Sequence, residues 1–202
     1  MTTLLLIRHA ETGASGLLTG WMGGWHLNSA GQIQAQRLAE RLSGLPIRAV
    51  YASPLERTLE TAEIVAAPHG LAPECLEDLG EVDFGEWEGY AFEDLQNDER
   101  WRQYNLCRTC TQPPGGEWIT EVQTRMARGL NCLAERHPEE IIAVVSHGDP
   151  LRCAVAHFLG MPVDFISRFE ITPASVTVVE IAPWGPRVLC LNENGEIACL
   201  FK

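Results

Sequence analysis

The sequence predicts an α/β fold in three layers, α/β/α, with a mostly parallel central sheet. Three observations predict it. Leu4 to Ile7 and Ile141 to Val145 are short, uninterrupted apolar runs, the pattern of strands buried on both faces. Other stretches carry apolar residues at helical spacing. The two kinds of segment alternate along the chain, as they must when helices cross over both faces of a parallel sheet.

Taken in order, Leu4 to Ile7 is the first strand, and a long loop separates it from a helix. That helix places Ala35, Leu38, Ala39 and Leu42 on one face. Ala49 to Ala52 reads as a short strand. Ser53-Pro54-Leu55-Glu56 is written like a helix start, with Ser as N-cap, Pro at the first helical position and Glu three residues on to close a capping box. Leu55, Leu59, Ala62 and Ala66 form the expected buried stripe of this helix. A further helix is predicted from about Glu117 to Arg136, with Val122, Met126, Leu130 and Leu133 inward. Leu151, Val155, Phe158 and Leu159 mark the helix after the Ile141 strand. Val176 to Ile181 and Val188 to Leu191 complete the sheet, and Asn194-Gly195 suggests a hairpin turn.

The chain has 202 residues, and at about 150 residues per domain this favours one domain with room for an insertion. Fifteen basic residues stand against 27 acidic ones, a net charge of −12. That balance argues against a sequence-independent grip on nucleic acid or on an anionic membrane. Lys202 is the single lysine and the other 14 cations are Arg, which excludes a core Schiff-base lysine and a P-loop lysine. An anion would be held by Arg, whose planar fork suits carboxylate or phosphate. The run Thr2 to Ile7 is too short for a signal peptide or a membrane span, so a cytoplasmic protein is expected. Seven scattered cysteines do not suggest a disulfide framework, and Cys107 and Cys110 read as free thiols in a loop.

Eleven carboxylates and no Lys or Arg occur between residues 74 and 99. This stretch breaks the strand–helix alternation. Residues from about 80 to 115 are read as a lid-like insertion over a site, most of whose carboxylates simply form a solvated face.

Ligands of open parallel sheets bind beyond the carboxyl ends of the strands. Two predicted strands end there in histidine, as Arg8-His9-Ala10-Glu11-Thr12 and Ser146-His147-Gly148-Asp149. Arg57 lies in the first turn of the helix that begins near Ser53, where free N–H groups and the helix dipole attract anions. Arg8, His9, Arg57 and His147 together would form a pocket for a tetrahedral dianion.

At these residues the sequence resembles a known family. Arg8-His9-Ala10-Glu11-Thr12 resembles the Arg-His-Gly-Glu-Thr signature of the histidine phosphatase superfamily, in its phosphoglycerate mutase-like branch. Ser53 to Ala62, Glu81 to Gly89 and Ser146 to Arg152 are similar to that branch's later blocks, in the same order. The resemblance implies a single domain over residues 1–202 with the phosphoglycerate mutase-like fold. It implies that His9 is a nucleophile that becomes phosphorylated, that Arg8, Arg57 and His147 bind the phosphoryl oxygens, and that Glu81 donates a proton to the leaving oxygen. Physical chemistry supports the roles. Flanking arginines keep His9 neutral and stabilise charge on the transferring group, and a bound dianion would make His147 a cationic donor. No metal or other cofactor is called for.

Two departures matter. Ala10 stands where the family has Gly, a strain if that backbone needs a positive φ. Ser15 stands near the family's phosphate-contacting Asn. Ser15, Thr19, Gly20 and Gly148 are therefore secondary candidates for substrate binding.

The expected activity is hydrolysis of a small phosphomonoester through phosphohistidine. The acidic insertion, whose nearest cations are Arg100, Arg102 and Arg108, favours substrates with a neutral or cationic remainder. Trp87, Trp101, Tyr104 and Trp118 could stack on a ring or sugar. The alternatives are a phosphoglycerate mutase-type phosphomutase and a non-catalytic phospholigand-binding protein. No cysteine has Arg six residues later and no G-x-S-x-G occurs, which excludes the cysteine phosphatase and serine hydrolase signatures. Sugar phosphates, phosphoglycerate derivatives, nucleotide-loop intermediates of cobalamin synthesis and phosphoproteins all stay open as substrates, as does the oligomeric state, a homodimer included.

Overall fold

The computed structural model describes residues 1–14 and 16–195. Six strands make one sheet: β1 (Thr2–Arg8), β2 (Ile47–Ala52), β3 (Glu74–Cys75), β4 (Ile141–Ser146), β5 (Val176–Ala182) and β6 (Gly185–Glu193), in the order β3-β2-β4-β1-β5-β6. The β2–β3, β2–β4 and β1–β4 pairings are parallel; β5 runs antiparallel to both its neighbours. The β5–β6 hairpin turns at Pro183 and Trp184. Any strand that Asn194-Gly195 would lead into falls at 196–202, outside the described residues.

Strand alternation explains the three layers. Leu4, Leu6, Ile142 and Val144 face one way, into a cluster with Met126 and Leu130 of α5 (Ile119–Arg136) and Leu151 and Val155 of α6 (Gly148–Phe158). Leu5, Ile7, Ala143 and Val145 face the other way, onto Leu38 and Leu42 of α1 (Ser29–Leu42) and Ala62 and Val65 of α2 (Glu56–Ala66). The predicted stripes of α1 and α5 are all buried.

Two helix readings need correction. The buried face of α2 includes Thr58 and Thr61, and Leu59 is only half-buried. Both threonines can be buried because their hydroxyls donate to main-chain carbonyls within 2.9 Å, Thr58 to Ser53 and Leu55 and Thr61 to Arg57. Leu159 is exposed: α6 stops at Phe158, and Gly160 turns the chain away in the left-handed region.

The segment from 80 to 115 contains α3 (Phe92–Leu95) and α4 (Glu99–Leu106). Its Val82, Phe84, Trp87, Leu95 and Tyr104 are buried in the same core as α5 and α6. Trp87 meets Trp101 edge-on with ring centroids 5.2 Å apart, so Trp87 packs rather than presenting a free stacking face. Trp118 is the N-cap residue of α5, its N–H donating to Glu121. Cys107 and Cys110 are bonded to each other, not free thiols. The Cys110 N–H donates to the Cys107 carbonyl, and this turn brings the two Cα atoms to 5.3 Å, within disulfide reach.

At the start of α1, Asn28 caps the helix through Gly31 N–H at 2.7 Å. A Cβ on Gly31 would lie 1.9 Å from the Glu11 carbonyl oxygen, so the first turn rests directly on the loop that follows β1. Gly31→Ala should therefore destabilise by about 1–3 kcal/mol despite alanine's better helix propensity. Thermal unfolding should show Tm lowered by at least about 3 °C; an unchanged or raised Tm would mean that this contact is soft.

Candidate active site

The parallel register of β1 and β4 pairs Arg8 with Ser146. The next residues, His9 and His147, therefore emerge side by side, with the His9 N–H donating to the Ser146 carbonyl at 2.9 Å and ring centroids 5.2 Å apart. β2 ends one strand further over, and Ser53 N–H donates to the Val145 carbonyl. This seats the Ser53 hydroxyl 2.8 Å from His147 Nε2.

That bond displaces the predicted capping box. α2 begins at Glu56 with Leu55 as its N-cap and no side-chain cap. Ser53 is committed to a buried imidazole, and the Glu56 carboxylate accepts from Gly24 N–H at 3.0 Å. Arg57 still lies in the first turn, fully buried, with Nη2 donating to the Gly20 carbonyl at 2.7 Å. Arg8 donates through Nη1 to the Ile171 carbonyl at 2.7 Å. Arg57 Nη1, Arg8 Nε and His147 Nδ1 are buried without a hydrogen-bond partner among the described residues. Two guanidinium donors and an imidazole nitrogen in that condition are what an anion would satisfy, the nitrogen in its protonated tautomer.

His9 has a defined tautomer. Its Nδ1 lies 2.8 Å from the Ala10 carbonyl oxygen, which can only accept, so Nδ1 carries the proton and Nε2 the lone pair. Burial, then Arg57 and Arg8, hold its pKa down to about 3, against the Ala10 bond. Ala10 itself is buried and is not among the residues with positive φ, so the methyl group costs no backbone strain.

His147 also differs from expectation. Burial, followed by Arg57, His9, Arg125 and Arg8, lowers its pKa well below the usual value, so it is neutral rather than an imidazolium. Glu81 Oε2 lies 3.9 Å from His147 Nδ1. Burial and then Asp149 push the Glu81 pKa up to about 7, while Arg57, the Val82 N–H and Arg8 pull it down. Glu81 is thus a carboxyl group poised to gain or lose a proton near neutrality.

His9, Arg8, Glu81 and Thr19 line one cleft of about 310 Å³. A second cleft of about 260 Å³ shares Arg8, Glu81, Phe84 and Phe92 with it and extends to Trp101, Tyr104, Arg108 and Gly148. Gly20 borders the first cleft, but its carbonyl is bonded to Arg57, and a Cβ there would lie 2.0 Å from the Glu88 carboxylate. Its glycine serves that packing. Ser15 lies outside the described residues. His26, His69, His137 and His157 line neither cleft.

Sequence reasoning missed Asp149, Arg108 and Arg152 as site residues. Arg108 donates to Asp149 at 2.5 Å and Arg152 donates to it at 3.1 Å, holding the carboxylate ionised beside Glu81. The i, i+3 spacing of Asp149 and Arg152 was a readable signal; Arg108 stood out in sequence only as a cation near the acidic insertion, with nothing to pair it with Asp149. Among the described residues no cluster of His, Cys, Asp or Glu is arranged to hold a metal ion, and no helix is long and apolar enough to cross a membrane.

Comparison with known proteins gives one family. The profile of the histidine phosphatase superfamily (branch 1) matches residues 4–194. The adenosylcobalamin/alpha-ribazole phosphatase of Escherichia coli is 31% identical over 88% of this chain and 89% of its own length. The probable phosphoglycerate mutase GpmB of Cronobacter sakazakii is 32% identical over 99% of this chain and 95% of its own. Bifunctional protein Rv2228c of Mycobacterium tuberculosis is 32% identical over 96% of this chain, which spans only about half, 54%, of that longer protein. Among solved structures, Bacillus stearothermophilus YhfR superposes with a TM-score of 0.91 at 29% identity, covering 98% of this chain and 100% of that one.

The geometry makes a direct prediction about Glu81. Its carboxyl group should titrate near pH 7 by carbon-detected NMR, and Asp149→Asn should lower that value by removing a neighbouring negative charge. Because the folded pKa is raised, the native state binds the extra proton between about pH 4.5 and 7, and Glu81's contribution to stability is lost as pH rises through that window. A Glu81 that titrates near 4.5 would contradict the reading.

Proposed function

The chain belongs to the histidine phosphatase superfamily (branch 1), and from that premise we propose that it hydrolyses small phosphomonoesters through a phosphohistidine at His9. One observation carries the proposal: a neutral imidazole, its Nδ1 proton fixed on the Ala10 carbonyl, stands beside a second imidazole and within the field of the Arg57 and Arg8 guanidinium groups.

The chemistry follows from those atoms. Arg8 and Arg57 bind the phosphoryl oxygens. His147 can assist even when neutral: in the tautomer whose Nε2 accepts from the Ser53 hydroxyl, Nδ1 carries the proton and lies 3.9 Å from Glu81 Oε2, a donor on the Glu81 side of the ring. The His9 Nε2 lone pair attacks phosphorus, the ester P–O bond breaks, and its electron pair leaves on the alcohol oxygen. The Glu81 proton moves to that oxygen, which lets a poor leaving group depart as a neutral alcohol. Glu81, now a carboxylate, takes a proton from water as the water attacks the phosphohistidine. The N–P bond breaks, phosphate leaves, and both His9 and Glu81 return to their starting protonation states. Most of the stabilisation is electrostatic, from donors already oriented before the reaction.

Hydrolysis is favoured over phosphoglycerate isomerisation by how the cations of the second cleft are engaged. Arg108 and Arg152 are held by Asp149, and Arg152 also by Glu170 at 2.6 Å. Arg100 and Arg102 are exposed and line neither cleft. A substrate carboxylate would thus find its candidate partners occupied. We read residues 80–115 as the cover over this cleft, and the preferred ester as one phosphate on a neutral or cationic remainder.

A panel of monoesters tested without added metal should release inorganic phosphate, and enzyme quenched in detergent at alkaline pH should retain label that is lost in acid, the behaviour of a phosphohistidine. His9→Ala should abolish the label and lower kcat by at least about 10³-fold. For alkyl esters kcat/KM should fall as pH rises above about 7, where Glu81 loses its proton, and Glu81→Gln should remove that limb. Isomerisation of phosphoglycerate without release would establish the mutase instead; binding without turnover would establish a phospholigand sensor.

A further inference from the structure

We propose that Arg125 is the positioning residue that aims Glu81 at the leaving group, an inference that rests on Glu81 being the proton donor. Arg125 lies on α5 and lines neither cleft, yet three of its five N–H donors reach main-chain carbonyls of the segment that ends in Glu81, and the other two reach the Glu117 carboxylate. Nη1 donates to the Asp78 and Gly80 carbonyls, both at 2.8 Å. Nη2 donates to the Glu81 carbonyl at 2.8 Å and to Glu117 Oε2 at 3.0 Å, and Nε donates to Glu117 Oε1 at 2.8 Å. Five donors meet five acceptors, so the side chain has no donor left for substrate.

The geometry explains why arginine is needed here. The loop 78–81 belongs to neither strand nor α-helix at Gly80 and Glu81, and its carbonyls have no ladder to join. One planar fork gathers three of them, while the Glu117 carboxylate balances its charge from the other side. Trp21 adds a second donor to the Glu81 carbonyl, Nε1 to O at 2.5 Å. Its ring also lies against Gly80, where a Cβ would come within 2.1 Å of the indole. The Glu81 backbone is therefore held from two sides. At the other end of the residue, Oε1 accepts from the Val82 N–H at 2.9 Å, so the side chain's direction is tied to that same backbone. A rotated 80–81 peptide would carry the carboxyl group away from the alcohol oxygen. The error tolerated in placing a proton donor is small, since proton transfer needs hydrogen-bond contact.

Leaving-group dependence separates aim from mere stability. Arg125→Lys keeps the charge but replaces the fork by a point donor that cannot reach three carbonyls and a carboxylate together. kcat/KM, which reports the half-reaction that phosphorylates His9, would be measured for an alkyl phosphate and for 2,4-dinitrophenyl phosphate, whose anion leaves without a proton. Glu81→Gln serves as the reference for lost acid catalysis, and Trp21→Phe, which deletes one donor, as a gentler second variant. Arg125→Lys should lose about 10–100-fold on the alkyl ester and less than about threefold on the dinitrophenyl ester. Trp21→Phe should show the same discrimination at smaller size, which keeps the test usable should Arg125→Lys fold poorly. Equal losses on the two esters, or no loss on the alkyl ester, would overturn the inference while leaving the role of Glu81 standing if Glu81→Gln discriminates. If Glu81→Gln itself does not discriminate, the proton-donor assignment fails and this inference falls with it.

Discussion

The register between β1 and β4 is the constraint on which the site depends. Parallel pairing of Arg8 with Ser146 sends two histidines out of adjacent strand ends at the same height. A slip of one residue would turn either imidazole to the opposite face of the sheet. The register is fixed far from the chemistry, because both faces of both strands are packed. Leu4, Leu6, Ile142 and Val144 are committed to one layer of helices and Leu5, Ile7, Ala143 and Val145 to the other. The apolar runs first read as strands thus also set the alignment of the polar ends.

The same packing sets the protonation states. Taking His9, His147 and Glu81 out of water disfavours the charged form of each: both imidazoles become weaker bases and the carboxyl a weaker acid. Arg8 and Arg57 cannot escape by losing a proton; each is met by one main-chain carbonyl, Ile171 for one and Gly20 for the other, and keeps a buried N–H without a partner among the described residues. Glu81 and Asp149 sit in the same neighbourhood with opposite outcomes. Asp149 is held ionised by two guanidinium partners, and its charge then raises the proton affinity of Glu81.

Much of this was legible in the sequence because it is local. Apolar runs announced the strands, four ordered blocks announced the family, and Arg8, His9, Arg57 and His147 lie within blocks whose spacing is short. What escaped was decided across the fold. Ser53 looked like a helix cap because its neighbours in sequence suit one; its actual partner, His147, is 94 residues away. Thr58 and Thr61 broke the apolar stripe of α2 on paper, yet are buried because their hydroxyls turn back onto the main chain. Arg108 reaches Asp149 across 41 residues and Arg125 reaches Glu81 across 44, and no periodicity records such pairs. The Cys107–Cys110 bond was dismissed on grounds of compartment and count, while the turn between them brought the two close.

The bond from His9 Nδ1 to the carbonyl of Ala10 has an evolutionary corollary. Which nitrogen of the ring keeps its lone pair is dictated by main-chain atoms, and these are common to all twenty amino acids. Drift at position 10 can therefore alter the methyl or hydrogen there without touching the tautomer, so long as the peptide keeps its orientation. An imidazole oriented by a neighbouring carboxylate would lose its orientation with one codon change; the tautomer of this proposed nucleophile is inherited with the backbone path itself.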